Sequence, residues 1–108
     1  MQELGPSAVA ARRQRVQILD VREHGEWAAG RIPEAVHIPM GDLPARLGEI
    51  DPEAPVVAVC RSGNRSAHVT AWLSAHGFEA YNLRGGMKAW RDAGLAFTTP
   101  DGGPGRVA

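Results

Sequence analysis

The sequence is poor in reactive groups. It has one cysteine, Cys60, one lysine, Lys88, and no excess of either charge, with 12 Lys and Arg against 12 Asp and Glu. A single thiol forms no intrachain disulfide and builds no multi-thiolate zinc site, so sulfur chemistry in this chain runs through Cys60 alone. Zero formal charge lacks the cationic excess of a nucleic-acid footprint, and no nucleic-acid partner is expected. No apolar run approaches the roughly 18 residues of a spanning helix, so no membrane partner is expected either. The stretch from Met1 to Pro6 has neither a basic n-region nor an apolar h-region, which points to a cytoplasmic protein. His24, His37, His68 and His76 fall in no metal-ligand spacing, and His68 and His76 lie too far apart on one helix for an i, i+4 pair. They are read as surface or packing residues, with no metal and no organic cofactor expected.

What is present fits one compact domain. A chain of 108 residues that is 44% hydrophobic and 22% charged sits near globular averages. Val16–Val21, Val36–Ile38, Val56–Val59 and Ala80–Leu83 read as short buried strands, with Gln2–Leu4 as a further edge strand. Continuous apolar runs of this length suit a sheet covered on both faces. Between them lie predicted helices: Pro6 to about Arg13, Glu23–Ala29, Gly41 or Asp42 to Leu47, Ser66–His76, and about Gly86 to Ala93. Val69, Trp72, Leu73 and His76 share a stripe of the fourth, and Gly77 supplies its stop. Strands alternating with helices predict a three-layer α/β domain with a mainly parallel sheet over residues 1–97. Residues 98–108 are Gly- and Pro-rich without periodicity and are expected to form a disordered tail.

The chemistry concentrates in one stretch: the buried strand Val56–Val59, the loop Cys60-Arg61-Ser62-Gly63-Asn64-Arg65, and a helix from Ser66. Ligands of an open parallel sheet bind beyond the carboxyl ends of its strands. A cysteine there, ahead of a helix N-terminus, meets the positive end of the helix dipole and unpaired backbone N–H groups. Arg61 and Arg65 add positive charge, and all of these favour the thiolate. With Gly63 at its middle, the loop can curl its N–H groups inward into a nest for an anion. A lone cysteine after a buried strand is more often a small apolar filler. The strand–Cys–Gly-containing loop–Arg–helix context reverses that reading and makes Cys60 the candidate nucleophile, with Arg61 to Ser66 as the binding loop.

From about Val16 to Phe97 the chain resembles the rhodaneses, specifically single-domain thiosulfate sulfurtransferases. The resemblance rests on Leu19-Asp20-Val21-Arg22-Glu23, on Glu26-Trp27 with Gly30-Arg31-Ile32-Pro33-Glu34-Ala35, on Val36-His37-Ile38-Pro39, on Cys60 to Ser66, and on Leu83-Arg84-Gly85-Gly86-Met87-Lys88-Ala89-Trp90. It implies a rhodanese-like fold and a nucleophilic Cys60 that takes the sulfane sulfur of thiosulfate as a persulfide. Cyanide or a thiol would then accept that sulfur. The implied partners are thiosulfate or another sulfane-sulfur donor and a thiol or cyanide acceptor. The alternative is a sulfur-relay module in which a partner protein loads Cys60. The cationic loop resembles the thiosulfate-using kind, where mercaptopyruvate-using relatives carry a neutral Cys-Gly-Ser/Thr-Gly-Val loop. Cysteine phosphatases, some of which share this fold, place five residues between Cys and Arg. Here there are four, Arg61 to Asn64, which argues against phosphate chemistry.

Other residues admit structural roles. Asp20 and Arg22, at the end of a strand on the same sheet edge, read as an ion pair or cap that orders loops rather than as substrate contacts. Arg65 either braces the loop against an acid such as Asp20 or faces the substrate. Trp27, Trp72 and Trp90 are expected in the core, with one of them at the pocket rim as the lesser reading, and Gly85-Gly86 is read first as the turn into the last helix and second as a border of the active site. Arg31, Glu34 and His37 depart from the His, Gly and Asn usual in the family, and altered packing or surface is the expected consequence.

Overall fold

The structure is a computed structural model that describes residues 1–108. Its elements run β1 (Glu3–Leu4), α1 (Pro6–Ala11), β2 (Gln17–Asp20), α2 (His24–Ala29), β3 (Val36–His37), two 3-10 segments (Met40–Asp42 and Pro44–Glu49), β4 (Val56–Val59), α3 (Asn64–Ala75), β5 (Ala80–Leu83) and α4 (Gly86–Asp92). The five strands form one sheet in the order β1-β5-β4-β2-β3, and every pairing is parallel. No helix is long and apolar enough to cross a membrane.

Strand periodicity explains the layers. Successive side chains of a strand point to opposite faces, so the uninterrupted run Val56-Val57-Ala58-Val59-Cys60 must feed two cores. Val56, Ala58 and Cys60 pack with Leu19, Val69 and Leu73 on one face, while Val57 and Val59 pack with Val9, Met87 and Trp90 on the other. The second face is therefore covered by α1 and α4, and the first by α3 and the 3-10 region. This is the three-layer α/β arrangement expected from the apolar runs.

Two local expectations change. The helix expected from Gly41 or Asp42 to Leu47 is a pair of 3-10 segments broken at Leu43, beside Pro44, with a further kink at Arg46. Leu43 itself stays in the right-handed helical region (φ −60°, ψ −44°), but Pro44 has no N–H to donate and Arg46 leaves helical geometry (φ −116°, ψ 16°), so tight short turns replace a regular helix.

Residues 98–108 also differ from the expected disordered tail. Thr98 exchanges backbone hydrogen bonds with Arg31 (2.9 and 2.9 Å), Arg106 N–H donates to Ala29 O (3.0 Å), and Gly105 N–H donates to Phe97 O (3.0 Å). Val107, like Phe97, packs against the core cluster that contains Trp90. A Gly/Pro-rich composition excludes a periodic element. It does not exclude an extended return whose backbone groups pair with a distant segment.

Candidate active site

Because β2, β4 and β5 are parallel, their carboxyl ends share one edge, and Cys60 lies there directly after β4. The thiol is almost wholly enclosed, with Cys60 at 1% exposure. Gly63 takes φ +106°, a left-handed conformation open to glycine, and turns the loop into α3, which begins at Asn64, two residues earlier than expected. That turn aims donors at the sulfur. Gly63 N–H lies 3.1 Å from Sγ, Ser66 N–H 3.4 Å and Ser66 Oγ 3.2 Å. Burial by itself pushes the thiol up. Hydrogen bonds from the Ser66 hydroxyl and from the N–H groups of Ser66, Gly63 and Ser62 outweigh it, leaving Cys60 below the ordinary thiol range.

The loop arginines play different parts. Arg65 is half-buried and makes a bidentate pair with Glu26 of α2, at 2.8 and 2.8 Å. Asp20 is therefore not its partner. The Arg65 guanidinium holds the Glu26 carboxyl below the usual carboxylate range, and Glu26 in turn raises Arg65. Glu26 also accepts the Glu23 N–H (3.0 Å) within a capping box at the start of α2, so the clamp is itself anchored. Arg61 is exposed, and its Nε donates to Ala108 O at 3.0 Å. Ser62 and Asn64 are exposed as well.

Asp20 and Arg22 form a buried pair, with Arg22 Nη2 2.8 Å from Asp20 Oδ2 and Nε 2.9 Å from Oδ1. The guanidinium also donates to Gly30 O (2.7 Å) and Glu26 O (3.3 Å), so it ties β2 to the middle of α2 and to the residue that closes it. All of its reach is spent inside the fold, away from any ligand.

Two residues of this site, Glu26 and Asn82, escaped the sequence reading, and Gly86 reads there first as a turn. Glu26 drew attention only as part of a motif. Asn82 on β5 is 2% exposed and contacts both Gly63 and Ser66; a polar residue inside an otherwise apolar strand was the available signal. Gly86, at φ +60°, lies against the loop so closely that a Cβ there would collide with the carbonyls of Cys60 and Arg61. Met87 and Lys88 N–H donate to those same carbonyls at 2.9 and 3.0 Å. The Gly85-Gly86 pair thus borders the sulfur loop in addition to turning into α4.

The residues that depart from the family pattern lie in packing contacts. The Arg31 guanidinium sits 4.6 Å over the Trp27 ring, and His37 stacks on the same ring at 4.6 Å with planes 7° apart. Since a carbonyl only accepts, His37 Nε2 donates to Arg22 O (2.7 Å). Glu34 pairs with Arg13.

Comparison with known proteins agrees with this geometry. A profile of the Rhodanese-like domain matches residues 6–93. A protein of Bacillus subtilis named putative sulfurtransferase YtwF is 48% identical over 73 residues, covering 68% of this chain and 71% of its own. A sulfurtransferase of Allochromatium vinosum is 42% identical over 88 residues, covering 81% and 82%. The thiosulfate sulfurtransferase GlpE of Pseudomonas fluorescens is 35% identical over 85 residues, covering 78% of each chain. Among solved structures, a rhodanese-like domain protein of Staphylococcus aureus superposes with a TM-score of 0.79 at 38% identity, covering 83% of this chain and 91% of that one. With the family profile spanning residues 6–93 and relatives at 48% and 42% identity named sulfurtransferases, the chain belongs to the rhodanese-like domain family.

Proposed function

We propose that this protein is a sulfurtransferase that moves the sulfane sulfur of thiosulfate through a persulfide on Cys60 to cyanide or a thiol. The observation that carries the reading is the convergence of Gly63 N–H, Ser66 N–H and Ser66 Oγ on one enclosed sulfur. Sulfurtransferase names among the relatives support the general activity, and the name of the GlpE relative supports thiosulfate as donor.

In the first step the Cys60 thiolate attacks the outer sulfur of thiosulfate. The new S–S bond forms as the bond to the sulfonate sulfur breaks, and sulfite leaves with that bond's electron pair. One thiolate and one dianion give one persulfide anion and one sulfite dianion, so charge balances and no proton moves. In the second step the acceptor attacks the outer persulfide sulfur, and the electron pair returns to Cys60 as thiolate. With cyanide the product is thiocyanate. The inward N–H groups lower the energy of an anion at the loop without rearranging, which is the advantage of a preorganised cradle. Arg61 is exposed and pairs with no acidic side chain, only its Nε being committed to Ala108 O, so its remaining donors face the incoming dianion. Arg65, held by Glu26, braces the cradle.

Intact mass after incubation with thiosulfate tests this directly. Wild type should gain one sulfur, roughly 32 Da, and lose it to cyanide as thiocyanate, while Cys60→Ala gains nothing. A folded wild type that gains no sulfur would refute thiosulfate as donor and turn attention to loading by a partner protein.

A further inference from the structure

The Asn82 side chain is enclosed beneath the sulfur loop, and its surroundings fix which way its amide points. Nδ2 lies 3.1 Å from Gly63 O and 3.3 Å from Glu3 Oε2. Both are acceptors, so the NH2 group must face them and Oδ1 must face Ser66. The Ser66 Oγ to Asn82 Oδ1 distance is 2.6 Å, and the same Oγ is 3.2 Å from Cys60 Sγ. A serine hydroxyl has one proton, and it cannot serve both partners at once.

We propose that Asn82 is a positioning residue that shares the Ser66 proton with Cys60, so that the hydroxyl turns between Asn82 Oδ1 and Cys60 Sγ as charge leaves and reaches the sulfur. With Cys60 as thiol, the S–H donates to Ser66 Oγ and the Ser66 hydroxyl donates to Asn82; every group is satisfied. With Cys60 as thiolate, the hydroxyl turns to the sulfur and Asn82 Oδ1 loses its donor in an enclosed site, which costs free energy. In the persulfide the charge sits on the outer sulfur and Sγ is neutral, so the hydroxyl returns to Asn82. Asn82 thereby favours the loaded form over the bare thiolate. This last consequence rests on the sulfurtransferase reading; the proton sharing itself does not.

The charged groups around the pair are few. Arg65 of α3 and Glu26 of α2 are joined to each other, Arg61 lies on the loop, and Glu3 of β1 meets the far side of the Asn82 amide. Of these only Glu3 loses a contact when Asn82 is varied, and it does so with either residue at position 66.

A double-mutant cycle reads the sharing. The pH profile of Cys60 alkylation by iodoacetamide is measured for wild type, Ser66→Ala, Asn82→Ala and the double variant. Asn82→Ala also frees the Gly63 carbonyl and the Glu3 carboxylate, effects common to both backgrounds that cancel in the cycle. The Asn82→Ala shift should be more acidic by roughly half to one pH unit with Ser66 present than with alanine there, about one net hydrogen bond. Equal shifts in the two backgrounds would overturn the proposal. A second measurement uses wild type alone and needs no variant to fold. The Asn82 side-chain carbonyl 13C resonance should titrate with the Cys60 midpoint, and a resonance that stays constant through that midpoint also overturns it. Neither readout needs sulfur transfer, so a wild type inert toward thiosulfate would refute the proposed activity and leave this result intact.

Discussion

Two neighbouring strands end at the same sheet edge and use their polar groups in opposite ways. At the end of β2, Asp20 and Arg22 bond to each other, and Arg22 spends its remaining donors on the backbone of Glu26 and Gly30. At the end of β4, the backbone and hydroxyl donors of the loop point at one sulfur. The first end is closed and holds the fold together. The second keeps donors aimed at an atom whose charge changes. A strong electrostatic feature at a sheet edge is therefore not by itself a site: what matters is whether its donors have permanent partners.

The most forceful way to break the comparison is to leave the closed end half-paired. Arg22→Met strands the buried Asp20 carboxylate and should lower unfolding free energy by about 3–5 kcal/mol, read by denaturant titration. A loss near zero would mean that the β2 end is not closed as described.

Gly86→Ala attacks the open end from behind. It combines a positive φ with a collision against the Cys60 and Arg61 carbonyls, and should cost about 1–3 kcal/mol while slowing alkylation of Cys60. Unchanged thiol reactivity would show that α4 does not shape the cradle.

The smallest effect belongs to the clamp between the two ends. The Arg65–Glu26 pair is partly exposed, at 32% and 19%, so Glu26→Gln should cost under about 1 kcal/mol after solvent screening. Its pH signature is sharper. The Glu26 carboxyl is depressed in the folded state, so its contribution is present above the unfolded value near pH 4.3. It is lost as pH falls from there through the lower folded value. Wild type and Glu26→Gln should converge in stability in that acid window, and a gap that persists below it would mean the pair is not the cause.

Much of this was legible in the chain. The run Val56–Val59, the lone Cys60, Gly63 and the amphipathic stretch that follows are local signals. They placed a cysteine between a buried strand and a helix because apolar periodicity and glycine positions act over a few residues. The broken helix around Pro44 shows the limit of the same reasoning, since periodicity outlined an element that the missing Pro44 N–H and the kink at Arg46 divide.

Which groups meet across the fold was a different matter. Arg65 and Glu26 are 39 residues apart in sequence, and Ser66 and Asn82 are 16 apart. Their meeting depends on α2 lying beside the loop and on β5 lying beside β4. Asp20 is the acid that the sequence suggests for Arg65, but Arg22 occupies it and Glu26 takes that place, and the return of residues 98–108 along Ala29–Arg31 had no periodic trace at all. The sequence by itself determined where the sulfur sits, because strand, turn and helix are local consequences of residue type. Only the tertiary structure decided which donors and acids surround it, because those partners are chosen by sheet order and by competition for a limited set of groups.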